Sequence, residues 1–199
     1  MGRWQAVLAW VLAGAAQAGW AGTALSPDAA ALVEHVRSTG DAGGRPWAVV
    51  DKAAASLMVF AADGRLLART AVLLGLARGD DSAPGVGARA AHVPPAERTT
   101  AAGRFAAEPG RNLNGEAIVW LDYEAALAIH RLRPAPAAER RAERLASPTP
   151  ADNRISAGCI VVDAGFYDRV VAPLLGRGPS VVYVLPETRA WRTLFATDA

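Results

Sequence analysis

Apolar and polar positions change rhythm along the chain. In "SPDAAALVEHVRSTG" the apolar residues Leu32, Val33 and Val36 fall on one face of a helix. Ser26 stands as N-cap, Pro27 at the first helical position, Asp28 in the first turn and Gly40 at the end. From Trp47 the texture becomes that of strands. "WAVVD" and "SLMVF" are short β-type runs, "ADGR" is a turn, and "LLARTAVLLGL" continues the meander. Residues 79–114 are rich in Gly, Pro, Ala and charge, which predicts a functional loop region holding the brief strand "GRFAAEP". "EAIVWLDY" and "ALAIHRL" read as further strands. Residues 134–153 form a polar, Pro-containing excursion with a helical stretch over 137–145. "AGCIVVD" starts a buried strand, Phe166, Val170 and Leu174 share a helical face, and "SVVYVLP" closes as a strand. No internal repeat is present. Many short strands with few helices predict a mainly-β domain.

Composition narrows the class. The 199 residues suit one ordinary domain with a small appendage. Apolar residues make up 52%, much of it alanine, and enough Val, Leu, Ile and Trp remain to bury a core. "MGRWQAVLAWVLAGAAQAGWAG" begins with Arg3, continues with an apolar stretch too short to span a bilayer, and then offers Ala16-Gln17-Ala18. This predicts a secretory signal over 1–18, cut near Ala18, and a periplasmic mature protein without a membrane span. The expected division continues with an N-terminal segment carrying the helix over 19–45, a main domain over 46–190 and a C-terminal tail over 191–199. The net charge of +2 comes from interspersed charges of both signs, which gives no basic face for a nucleic acid. The run Arg140 to Arg144 contains Glu143 and follows Glu139, and reads as a solvated segment.

Export makes Cys159 informative. It is the sole cysteine, so no disulfide partner exists within the chain. It is either a small buried hydrophobe or a nucleophile. A nucleophilic thiol needs a base to form the thiolate. Among the three histidines, His130 ends a predicted strand, and the excursion joins it to the strand of Cys159. His92 lies before Pro94 and Pro95, a poorer place to fix a ring. Gly158 lets backbone N–H groups approach a substrate, as an oxyanion site requires, or it marks a bulge. Ser156 either hydrogen-bonds near the thiol or faces a neighbouring strand.

"SAGCI" over 156–160, with the histidine of "AIHR" before it, resembles the L,D-transpeptidase catalytic domain of YkuD type, whose signature is a histidine followed by Ser/Thr-x-Gly-Cys. "VVDKAAASLMVF" looks like the family's opening strands, and "ERTTAAGRF" like its Thr-Pro-x-Gly-x-Phe segment. "SPTPADNRISAGCI" resembles the approach to the cysteine in a small exported proteobacterial branch. "FYDRVV" and "VVYVLPET" look like the closing elements. The resemblance spans roughly Trp47 to Thr188. It implies a mainly-β sandwich with a few short helices and the cysteine in a cleft, and no metal or organic cofactor. It also implies transpeptidation of peptidoglycan stem peptides. Cys159 would attack the carbonyl between the third and fourth stem residues, and His130 would take its proton. The backbone N–H groups around Gly158 and Cys159 would hold the oxyanion with Ser156 in support, and the acyl group would pass to an amine on a second stem or on an outer-membrane lipoprotein. Stem peptides carry free carboxylates, and Arg154 is the nearest guanidinium in sequence to clamp one. The alternative for Arg154 is an ion pair with Asp152 or another acid that orders the loop.

The chain departs from the family pattern at Arg131, where glycine is common, at Ala157, often histidine, and at Val161, usually Arg or Asn. Ala101 stands where proline is usual. With water as acceptor the same site would make an L,D-carboxypeptidase or endopeptidase. A non-catalytic cell-wall-binding protein of the same fold is the other alternative.

Overall fold

The computed structural model describes residues 24–89 and 92–195, so the expected signal segment lies outside the described residues. The predicted first helix is present as α1 (Pro27–Thr39). The Ser26 Oγ accepts from the Ala29 N–H at 3.1 Å, and Gly40 ends the helix in a left-handed conformation at φ +66°. Both ends are thus satisfied in the way the sequence predicts.

Ten strands follow. In chain order they are β1 (Trp47–Asp51), β2 (Ser56–Phe60), β3 (Leu66–Ala71), β4 (Leu74–Gly75), β5 (Gly103–Arg111), β6 (Ala117–Asp122), β7 (Leu127–Arg131), β8 (Arg154–Ser156), β9 (Ile160–Val162) and β10 (Ser180–Val184). Eight of them make one mixed sheet in the order β3-β2-β1-β10-β5-β6-β7-β9, and β4 pairs with β8 in a small second sheet. The pairs β1–β10, β7–β9 and β4–β8 are parallel. The mainly-β expectation is met.

β1, β2 and β10 are buried along their whole length because both faces are covered. Ala48, Val50, Leu57, Val59, Val182 and Val184 face the main core. Their neighbours Trp47, Val49, Met58, Phe60, Val181 and Tyr183 pack beneath α1 in a second core. This explains runs without strict alternation, since each successive side chain enters a different core. Trp47 and Phe60 are direct cross-strand partners with stacked rings 3.9 Å apart. Trp191 and Phe195, in the segment expected as a tail, also pack into the second core.

Two segments are more broken than their sequence pattern predicts. The arm over 66–76 divides after Ala71: Val72 N–H bonds to Ala55 O, and Leu73 exchanges hydrogen bonds with Val161. The chain thereby leaves the large sheet to form β4 against β8. The helical stretch over 137–145 is split into a 3₁₀ turn (Ala137–Glu139) and α2 (Arg141–Ala146) by Arg140, which is left-handed at φ +48°.

Candidate active site

The excursion over 134–153 is a crossover between parallel neighbours. β7 lies beside β9 with His130 opposite Val161, and Cys159 immediately precedes β9. Both side chains line one cleft of about 430 Å³. Val86 and Val93 line it from the loop after β4, and Pro134, Pro136 and Arg141 line it from the excursion. Both long segments therefore frame the cleft.

The turn before the thiol is held tightly. Gly158 is left-handed at φ +137°, and a Cβ there would come within 2.9 Å of the Thr99 carbonyl oxygen. Only glycine meets both demands without strain. The Gly158 N–H donates to Ser156 Oγ at 3.1 Å, and the Ser156 hydroxyl donates to the Cys159 carbonyl at 2.7 Å. The Gly158 N–H is thus occupied, and Ser156 acts by closing the turn. Among the described residues no side-chain acceptor takes the Cys159 N–H, which leaves it as the backbone donor beside the sulfur.

The electrostatics hold the pair toward its neutral forms. Burial pushes the Cys159 thiol up from its ordinary value, against the opposing influence of the Ala128 N–H and the Arg133 charge. Burial, with the nearby Arg133 charge, lowers His130 to about 4, although its hydrogen bond to the Arg131 carbonyl works the other way. The His130 Nδ1 lies 2.7 Å from Arg131 O. A carbonyl only accepts, so Nδ1 carries the hydrogen and Nε2 is the basic nitrogen. The Cys159 S–H donates to Ala126 O at 3.3 Å rather than to the imidazole. Ala126 is itself left-handed at φ +50°, an uncommon conformation for a residue with a Cβ. Proton transfer to His130 requires the S–H to leave that carbonyl.

Arg154 is not in the cleft, and its expected role as a carboxylate clamp there is withdrawn. It is 8% exposed and donates to Glu187 Oε2 at 2.5 Å and to Lys52 O at 3.2 Å. The carboxylate partner is Glu187, distant in sequence, rather than Asp152. Lys52 lies in the same buried cluster, donating to Asp80 Oδ1 at 2.8 Å, Gly79 O at 2.5 Å and Thr100 O at 2.9 Å. Asp80 also accepts from the N–H groups of Glu187 and Thr188 and from the Thr188 hydroxyl. Burial alone would raise the Asp80 carboxyl, but these donors outweigh it and hold the group well below the usual carboxylate range.

The cations that do line the cleft are Arg133 and Arg141, paired with Glu116 at 2.7 Å and Glu139 at 2.5 Å. Sequence reasoning missed them because Arg141 sits in a run that reads as solvated and Arg133 stands between the strand of His130 and the excursion, with no motif to single it out. The departures from the resemblance also find places. Val161 is buried with Leu73 and the α2 residue Leu145, so it anchors the excursion. Arg131 pairs with Asp168 and lies over the Tyr167 ring at 4.2 Å. Ala157 is exposed and lines the cleft.

No protein-family model matches the sequence, and no curated protein matches it. Among solved structures, the chain is similar to the helical cell shape determining protein Pgp2 from Campylobacter jejuni, at 15% identity and a TM-score of 0.47, over 73% of this chain and 49% of that one. It is also similar to an L,D-transpeptidase from Mycobacterium smegmatis, at 16% identity and a TM-score of 0.40, over 70% and 58% of the two chains. The catalytic domain of an E. faecium L,D-transpeptidase matches at 16% identity and a TM-score of 0.38, over 71% of this chain and 98% of that domain. The chain spans about half the length of the Pgp2 protein it matches.

Proposed function

We propose that this chain is an exported L,D-transpeptidase that transfers peptidoglycan stem peptides through an acyl-enzyme on Cys159. The observation that carries the reading is one cleft lined by Cys159 and His130, with the His130 ring anchored through Nδ1 on Arg131 O. The order of motif residues in the sequence supports it. Nε2 takes the thiol proton as the sulfur attacks the carbonyl between the third and fourth stem residues. The Cys159 N–H faces the developing oxyanion. On collapse, His130 returns the proton to the leaving amine, D-alanine departs, and a thioester remains on Cys159. An amine of a second stem then attacks the thioester, giving its proton to His130, and the thiol is regenerated. Water in place of the amine gives an L,D-carboxypeptidase. Arg133 and Arg141 supply the positive charge for stem carboxylates, the part first sought in Arg154.

One observation favours a second reading. The thiol is held by Ala126 O and not by the imidazole, an arrangement that also suits a protein binding stem peptides without turning them over. Purified muropeptides separate the two. A transpeptidase releases D-alanine and forms new cross-links, and Cys159→Ser abolishes both. A binder retains muropeptide on a column and releases nothing.

A further inference from the structure

Thr100 is buried between the ion cluster and the turn that carries the thiol. Its hydroxyl accepts from the Gly75 N–H at 2.8 Å and donates to the Gly158 carbonyl at 2.7 Å. Its own carbonyl accepts from Lys52 Nζ at 2.9 Å. Lys52 is in turn fixed by Asp80 and the Gly79 carbonyl. An unbroken line of hydrogen bonds therefore runs from a buried ion pair to the peptide group between Gly158 and Cys159.

That peptide group is the one whose direction matters. In a trans peptide the C=O and the following N–H lie in one plane and point opposite ways. Fixing the Gly158 oxygen on Thr100 therefore aims the Cys159 N–H away from Thr100. Ser156 holds the two flanking groups of the same turn, the Gly158 N–H and the Cys159 C=O. Without Thr100, the Gly158–Cys159 plane would keep its ends and lose its middle. Gly158 is free to rotate for want of a Cβ, so nothing local replaces the lost restraint. A hydrogen bond to the carbonyl also polarises the N–H on the far side of the same amide.

We infer that Thr100 is a positioning residue that aims the Cys159 N–H at the oxyanion of an acyl transfer. The inference rests on Cys159 acting as an acyl acceptor, but not on peptidoglycan as the acyl source. It predicts a split between two reactions of one sulfur. Acylation by a small p-nitrophenyl ester passes through an oxyanion and expels p-nitrophenolate. Alkylation by iodoacetamide is a direct displacement of iodide with no oxyanion.

The full chain and its Thr100→Val and Thr100→Ser variants are compared for both rates at one pH. Thr100→Val is expected to slow acylation at least about tenfold, less than the roughly hundredfold or more for deleting an oxyanion donor outright. Its alkylation should stay within about twofold of the parent, and Thr100→Ser should restore acylation, since it keeps the hydroxyl. Thr100→Ala replaces Thr100→Val should the latter not fold, with the same expectation. The inference is overturned by unchanged acylation in the hydroxyl-less variant. Equal losses in both reactions, or no rescue by serine, also overturn it, because the role would then be structural only. So does a parent protein whose acylation-to-alkylation ratio merely equals that of free cysteine, since no oxyanion support would exist to aim. A normal split with inactivity on muropeptides would leave Thr100 as assigned and remove the transpeptidase reading.

Discussion

Lys52, Asp80, Arg154 and Glu187 are buried and paired charge to charge, whereas Cys159 and His130, half-buried in the cleft, are held toward neutrality. The difference lies in completion. All three Lys52 N–H donors have acceptors, and Asp80 takes donors from a side chain, a hydroxyl and two backbone groups. Burial of a charge is tolerated where its hydrogen bonds are met in full. In the cleft the imidazole is hydrogen-bonded to the Arg131 carbonyl and the thiol to the Ala126 carbonyl, neither of them to a charged group. The first cluster keeps the fold; in the proposed function the second stores a proton that can move. A site that must change its protonation state has to leave that completion unfinished.

Removing one member of the finished cluster should have the largest effect. Asp80→Ala takes the nearer carboxylate from the Lys52 ammonium and leaves only Glu187, at 3.8 Å, and loss of one partner from a buried pair costs about 3–5 kcal/mol. The guanidinium unfolding midpoint should fall accordingly. Arg154→Ala should act in the same way by removing the nearer cation of Glu187, which keeps only Lys52 at 3.8 Å; this distinguishes it from a substrate clamp, since the folded fraction would alkylate at the parent rate. Because the folded-state carboxyl of Asp80 titrates below its unfolded value, the folded protein binds fewer protons there. Its contribution is present above about pH 4 and is lost as the pH falls further.

The unfinished cluster should show its own acid signature, one step smaller. His130 titrates near 4 in the folded protein and near 6.5 unfolded. The unfolded chain therefore takes up the proton first, and stability should drop by about 3 kcal/mol as pH falls from 6.5 to 4. In His130→Gln this slope should flatten in a pH series of thermal or denaturant unfolding. An unchanged slope would place the histidine in solvent and erase the contrast between the two clusters.

Much of this contrast was hidden in the sequence, for physical reasons that differ by residue. α1 was legible because its cap, proline and αL glycine act within a few residues. His130 and Cys159 were legible as neighbours because strands on either side of one excursion can pair. The ion cluster was not, since its members come from positions 52, 80, 154 and 187 and meet only in the folded chain. Arg154 was misplaced for the same cause: nearness to Cys159 along the chain does not say which face of β8 a side chain takes. Val161 was read by what it lacks as a polar group, while its packing on Leu145 depends on where the excursion returns.

That packing gives the smallest predicted effect. Val161→Ala removes two methyl groups' worth of burial beneath α2, which should cost about 1–2 kcal/mol. It should also raise the rate of proteolytic cutting within 134–153 more than elsewhere. Uniform protection of that segment would mean the excursion is held by its arginine–glutamate pairs instead.

The central claim is that the unfinished pair performs acyl transfer. Intact-mass spectrometry after brief mixing with a tetrapeptide-stem muropeptide addresses it directly. The account predicts an adduct equal to the muropeptide minus D-alanine on Cys159, absent in Cys159→Ser and formed at least about a hundredfold more slowly in His130→Gln. A parent protein that never carries the adduct and releases no D-alanine, or an adduct that forms at the same rate without His130, would contradict it.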